Sequence, residues 1–160
     1  MKIRSVKLNN RKKAFEITTS ARTFQFPYSK AVPRPSTSDP IIEVSIDKEL
    51  GSEGITYVLR SGCEGSVHIE QVLDYNQDPA YLRDSVVYKL TLEARRRIEA
   101  SPLSKREIIR RLGTSATQLY RLLDQSNYRK SIDQLLSLLG VLDCQVDVKV
   151  RPRRLASRAA

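Results

Sequence analysis

Over the first 76 residues, apolar and polar positions alternate in short runs. Phe15 and Ile17 alternate with Glu16 and Thr18, and Phe24, Phe26 and Tyr28 alternate with Gln25 and Pro27. A period of two is that of half-buried strands, and the intervening Thr19-Ser20-Ala21-Arg22 suits a hairpin connection. Pro33, Pro35 and Pro40 then exclude regular pairing from 32 to 40. A short strand from Ile41 to Ile46 follows, and after it a second hairpin. Its arms are Ile55 to Leu59 and Ser66 to Glu70, joined through Ser61-Gly62-Cys63-Glu64-Gly65, whose glycines permit positive φ. The pattern predicts a small antiparallel β domain over residues 1–76.

The period changes at Asp78-Pro79. Asp78 can accept an amide hydrogen bond at a helix start and Pro79 fits the first turn. Leu82, Val86, Leu90, Ala94 and Ile98 then recur every four residues, which predicts a helix from about 79 to 100. Ser101-Pro102 ends it, because the residue before proline avoids the helical region. Ser104 with Glu107, Ser115 with Gln118 and Ser131 with Gln134 each fit a capping box, in which serine and the acid or amide three residues on satisfy each other's orphan amides. Three more helices are expected, with apolar sets Ile108, Ile109, Leu112; Leu119, Leu122, Leu123; and Ile132, Leu135, Leu136, Leu139.

Beyond Gly140 the period returns to two. Cys144, Val146, Val148 and Val150 alternate with Gln145, Asp147 and Lys149, which reads as one strand. Residues 151–160 carry four arginines and little to bury, so a basic disordered tail is expected. The fold class is therefore α+β: the β domain, then a helical domain over 77–150 that closes on a C-terminal β-strand.

Charge sharpens this division. The net charge of +10 is unevenly spread: residues 1–34 hold nine Lys or Arg against one acid, 35–78 two against nine, and 79–130 twelve against five. The excess in the helical half would attract a polyanion such as DNA. No run approaches the roughly 20 apolar residues of a membrane helix, and the opening Met1-Lys2-Ile3-Arg4 leads into no apolar signal region. A cytoplasmic protein is expected. Cys63, Cys144 and the single His68 lack metal-ligand spacing, so no zinc site is expected and each thiol reads as a buried free cysteine. His68 has no paired nucleophile, Asp47 and Glu49 read as surface acids, and no glycine-rich phosphate cradle occurs. No enzyme and no cofactor are predicted.

The helices expected at Ser104 to Leu112 and Ser115 to Leu123 are separated only by Gly113-Thr114. A left-handed glycine ending one helix and a capped serine opening the next turn the axis sharply, the signature of a helix-turn-helix. Through Leu103-Ser104-Lys105-Arg106-Glu107-Ile108-Ile109-Arg110-Arg111-Leu112-Gly113-Thr114-Ser115 and Gln118-Leu119-Tyr120-Arg121-Leu122-Leu123, residues 84–150 resemble the lambda-repressor-like, Xre-type DNA-binding family. The helix from Ser131 and the terminal strand resemble its antitoxin-type branch. Ile109 departs from the family pattern, which places a small residue there, and so demands a wider helix crossing or repacking. The N-terminal part loosely resembles a small bacterial β-rich domain of unknown function, through Ile3-Arg4-Ser5-Val6-Lys7-Leu8 and the two hairpins.

The resemblance implies that the second helix enters the major groove of duplex DNA. Ala116, Thr117, Gln118 and Arg121 would then face base edges, with Gln118 suited to adenine and Arg121 to guanine or a phosphate. Lys105, Arg106, Ser115, Tyr128, Arg129 and Lys130 would meet the backbone. It implies a homodimeric repressor, an autoregulating antitoxin with a toxin protein as partner. The strand Cys144, Val146, Val148, Val150 would pair with its counterpart across a two-fold axis or with the N-terminal sheet. The residues leave a second reading open, in which the β domain binds a partner protein and the helices are an oligomerisation scaffold without DNA.

Overall fold

The computed structural model describes residues 1–152 and forms two compact units, Met1–Arg83 and a second that begins at Asp84. The fold is α+β, with two three-stranded antiparallel sheets and then helices. The boundary falls inside a helix rather than at its start near residue 77.

In the first unit, β1 (Ile3–Asn9), β2 (Ala14–Thr19) and β3 (Thr23–Pro27) make one meander. The register pairs Leu8 with Phe15, Phe15 with Phe26 and Ile17 with Phe24. It thereby gathers Phe15, Ile17, Phe24 and Phe26 in the core, each burial contributing roughly 1.5–3 kcal/mol. The second meander is β4 (Ile41–Asp47), β5 (Gly54–Leu59) and β6 (Glu64–His68), with Ile55, Tyr57, Leu59 and Val67 buried. Phe15 joins the two sets, with its ring centroid 4.8 Å from Tyr28 and 5.3 Å from Tyr57. Tyr57 donates to the carbonyl of Pro33 at 2.5 Å, and burial pushes its pKa up to about 12. A Cβ on Gly65, its cross-strand partner, would collide with the Tyr57 ring, so only glycine fits there.

One helix escaped the pattern of alternation. The expected strand arm from Ser66 to Glu70 stops at His68, and α1 (Ile69–Asn76) follows at once. His68 is its N-cap: His68 N–H donates to Gln71 Oε1 at 2.8 Å, and its Nδ1 accepts from Glu70 N–H at 3.4 Å. Ile69, Val72 and Leu73 turn into the core, and Tyr75 sets its ring edge on Phe26. The 1–76 segment is therefore β-rich with one helix rather than all strand.

α2 (Pro79–Ala100) has the expected bounds. Asp78 caps it, accepting from Tyr81 N–H at 3.1 Å and from Arg22 Nη2 at 2.6 Å. Chiefly the first of these holds its carboxyl below the usual range. The buried stripe differs from the expected one. Spacings of four drift about 40° per step around a helix of 3.6 residues per turn, so Val86 comes to lie 44% exposed and Val87, Thr91 and Ala94 take the core. Buried Thr91 satisfies its hydroxyl by donating to the Val87 carbonyl at 2.6 Å.

In the second unit, α3 (Lys105–Leu112), α4 (Ala116–Leu123) and α5 (Ile132–Val141) enclose Ile108, Leu119, Leu122, Leu135, Leu138 and Leu139 together with Val87 and Ala94. Ile109 is accommodated at the edge of this cluster, half-buried. After α5, Asp143 takes φ 55 and Cys144 N–H returns to the Leu139 carbonyl at 3.0 Å. The expected strand then does not form: no residue from Cys144 to Val150 joins a strand ladder among the described residues, and Val148 and Val150 are each 87% exposed. A strand needs a neighbour to take its amides and carbonyls. The tail expected over 151–160 lies, from 153 on, outside the described residues.

Candidate nucleic-acid interface

The turn between α3 and α4 is built by two residue types. Ser104 caps α3 by accepting from Glu107 N–H at 3.2 Å. Gly113 ends it in the left-handed region (φ 65, ψ 37), where its N–H meets the Arg110 carbonyl and that of Thr114 meets Ile109. Open space surrounds the position a Cβ would take, so backbone conformation and not room calls for glycine. Ser115 is extended (φ −101, ψ 161) and accepts from Gln118 N–H at 3.2 Å to start α4.

Only the serine half of each expected box is made. Ser131 accepts from Asp133 rather than from Gln134. Glu107 turns away to Arg110 and Arg111, at 2.7 and 2.8 Å, and these guanidinium groups hold its carboxyl down at about 2. The Gln118 carboxamide makes no hydrogen bond among the described residues and is exposed.

The face of α4 follows from its burial pattern. Leu119 and Leu122 are buried and Leu123 half-buried, while Ala116, Thr117, Gln118 and Arg121 all face solvent, together with Ser115. Arg121 forms no ion pair among the described residues. Beside this face Lys105 and Arg106 are exposed on α3, and Tyr128 and Arg129 are exposed on the loop before α5. Tyr120 is a further member. It is 58% exposed, and the Lys105 ammonium lies 5.6 Å from its ring centroid. Its place four residues after Ala116 puts it on the outward face, which the periodicity already implied.

Lys130 does not lie on the outward basic face that the sequence predicts for it: it is 6% exposed, and its ammonium donates to the Leu122 and Asp124 carbonyls at the end of α4. Burial pushes its pKa below the ordinary lysine value. Those carbonyls lack intrahelical donors, and a lysine stem long enough to reach them is drawn in.

Elsewhere the described residues gather no group of three His, Cys, Asp or Glu that could hold a metal. Cys144 is half-buried, but Cys63 is exposed at a hairpin tip, contrary to expectation. No helix among the described residues is long and apolar enough to cross a membrane. Set against known protein families, curated proteins and solved structures, the chain finds no match in any of the three.

Proposed function

We propose that the second unit is a sequence-specific duplex-DNA-binding module and that the protein is a transcriptional repressor acting as a homodimer in the cytoplasm, by binding rather than by catalysis. The observation that carries this reading is the tight turn at Gly113 to Ser115, which ends one capped helix and starts another whose outward side chains are uncommitted. In this reading the N-terminal part of α4 enters the major groove. Gln118 offers a donor and an acceptor to adenine, Arg121 pairs with guanine, and Ala116 and Thr117 give the close contacts to base edges. Lys105, Arg106 and Arg129 neutralise phosphates, while Ser115 and Tyr128 donate to them. An autoregulating antitoxin, with a toxin as protein partner, is the setting we propose.

Binding of the pure protein to the DNA upstream of its own coding region tests this. Three phosphate-facing cations in each of two protomers give roughly six neutralised phosphates, so affinity should fall about a thousandfold between about 50 and about 200 mM salt. Absence of duplex binding at low salt would leave the reading in which the helices are an oligomerisation scaffold.

A further inference from the structure

The first unit carries a feature that DNA reading by α4 does not use. At one end of the first sheet, the β1–β2 turn, the 3-10 turn Tyr28–Lys30 and the segment 34–41 surround a groove of about 730 Å³. Its cations are Lys12, Lys13 and Arg34, all exposed and without an ion pair among the described residues, and no acid lines it. Its apolar surface comes from Tyr28, Pro35 and Ile41, the first two buried and the third half-buried.

The walls are held before any ligand arrives. Tyr28 N–H donates to the Lys13 carbonyl at 2.9 Å, and Tyr28 Oη donates to Asn10 Oδ1 at 3.1 Å. On the opposite wall, Ser36 N–H donates to the Asp39 carbonyl at 3.1 Å and Asp39 N–H donates to Ser36 Oγ at 3.0 Å. A recess that is already ordered loses little further entropy on binding.

We infer that this groove binds an extended acidic peptide segment of a partner protein, with an aliphatic side chain on the Pro35–Ile41 surface and flanking carboxylates on Lys12, Lys13 and Arg34. Its volume falls within the roughly 300–1,000 Å³ of ligand sites. Single-stranded nucleic acid is recognised by stacking on aromatic faces, and the only ring here, Tyr28, is buried against Phe15. The phosphates of a duplex lie on a convex surface that does not enter such a recess.

A second copy of this chain is also a poor occupant. Nowhere in the sequence do two acids adjoin. Of the nine acids between 35 and 78, four are held, Asp39 by Ser61, Asp47 by Leu50 N–H and Thr56, Glu53 by the N-terminal ammonium and Asp78 by Arg22, and the other five stand singly along the chain. These 160 residues hold no run of carboxylates, so a partner protein is the occupant proposed.

The test titrates the full-length protein with the synthetic peptide acetyl-Glu-Glu-Leu-Glu-Glu-amide, followed by amide chemical shifts. Saturable binding should move the amide resonances of residues 10–13, 28, 29, 34, 36 and 37, and should weaken with salt. The peptide with every Glu replaced by Gln should bind about tenfold more weakly. In the double variant Lys12→Gln/Arg34→Gln, which alters only exposed side chains, affinity should fall between about twofold and about 25-fold with an unchanged melting temperature, since each exposed ion pair contributes a factor of roughly 1.4 to 5. Arg121→Ala should bind the peptide as the parent does, which separates this groove from the DNA reading. No saturable binding of the acidic peptide at millimolar concentration, equal binding of its Gln counterpart, or parent-like affinity in the double variant overturns the inference. Tighter binding of a thymidine hexanucleotide at the same resonances also overturns it, in favour of a polynucleotide groove.

Discussion

The ammonium of Lys130 donates to the carbonyl oxygen of Leu122, eight residues earlier, at 2.9 Å. It thereby fixes the point where α4 stops and the loop through Asp124 begins, and it places a cation at the negative end of that helix. The charge is spent inside the fold rather than on a partner.

Replacing Lys130 by Met keeps the apolar stem and removes both hydrogen bonds. The Leu122 and Asp124 carbonyls lose their donor, so unfolding in urea should show a loss of roughly 1–3 kcal/mol. The salt dependence of DNA binding by the folded variant should match the parent's. Arg129→Ala, by contrast, should keep stability and lower the salt slope by about two, one for each protomer of the dimer. A reversed pattern would place Lys130 on the phosphate backbone.

Arg121 and Gln118 should behave as base readers. Arg121→Ala should cost roughly 1–3 kcal/mol on the cognate duplex and much less on an unrelated one. Gln118→Ala should relax discrimination at an adenine without changing stability, because Ser115 is paired with the backbone N–H of Gln118, not with its side chain. Equal losses on cognate and unrelated DNA would assign Arg121 to the backbone.

The helices of the second unit were legible in the sequence because their start and stop signals are local. Serine before an apolar set, and glycine after one, act within a single turn of chain. Val87 and Thr91 in the core were not legible, since a fourfold spacing looks helical while drifting off the buried face. Nor was α1, whose eight residues follow β6 without a break and are capped by a histidine, an uncommon N-cap. The fate of Lys130 was hidden for another reason: whether a lysine faces solvent or reaches orphan carbonyls depends on contacts between positions 122 and 130. The outward residues of α4 were readable from the burial of Leu119 and Leu122 alone.

The ion pairs of Glu107 make a pH prediction. Its carboxyl is held at about 2, with Arg110 the first cause and Arg111 the second, below the roughly 4.3 of an unfolded glutamate. A depressed folded value means that stability is fully present above the unfolded pKa and is lost as pH falls toward about 2. The parent's melting temperature should therefore decline more steeply below about pH 4.5 than that of Glu107→Gln. Glu93, held likewise at about 2 by Arg96 and Arg97, leaves part of the decline in place. The same variant frees Arg110 and Arg111, and should bind any duplex more tightly at low salt.

The segment from Cys144 to Val150 makes the prediction on assembly. Its alternating Cys144, Val146, Val148 and Val150 form a strand pattern without a strand, and none of the amides from 145 to 150 donates to a described backbone carbonyl. An exposed edge with apolar side chains recruits an equivalent edge. Pairing across a two-fold axis would order both segments at once, and would set two α4 helices about 34 Å apart, one turn of DNA. Val148→Pro removes a ladder donor, and should convert a dimer in analytical ultracentrifugation into a monomer while leaving the single-chain fold intact, because residue 148 is 87% exposed and contributes nothing to the core. Cooperative binding to a two-half-site operator should disappear with the dimer, and binding to one half-site should persist. A parent protein that sediments as a monomer at micromolar concentration would remove the basis for this pairing.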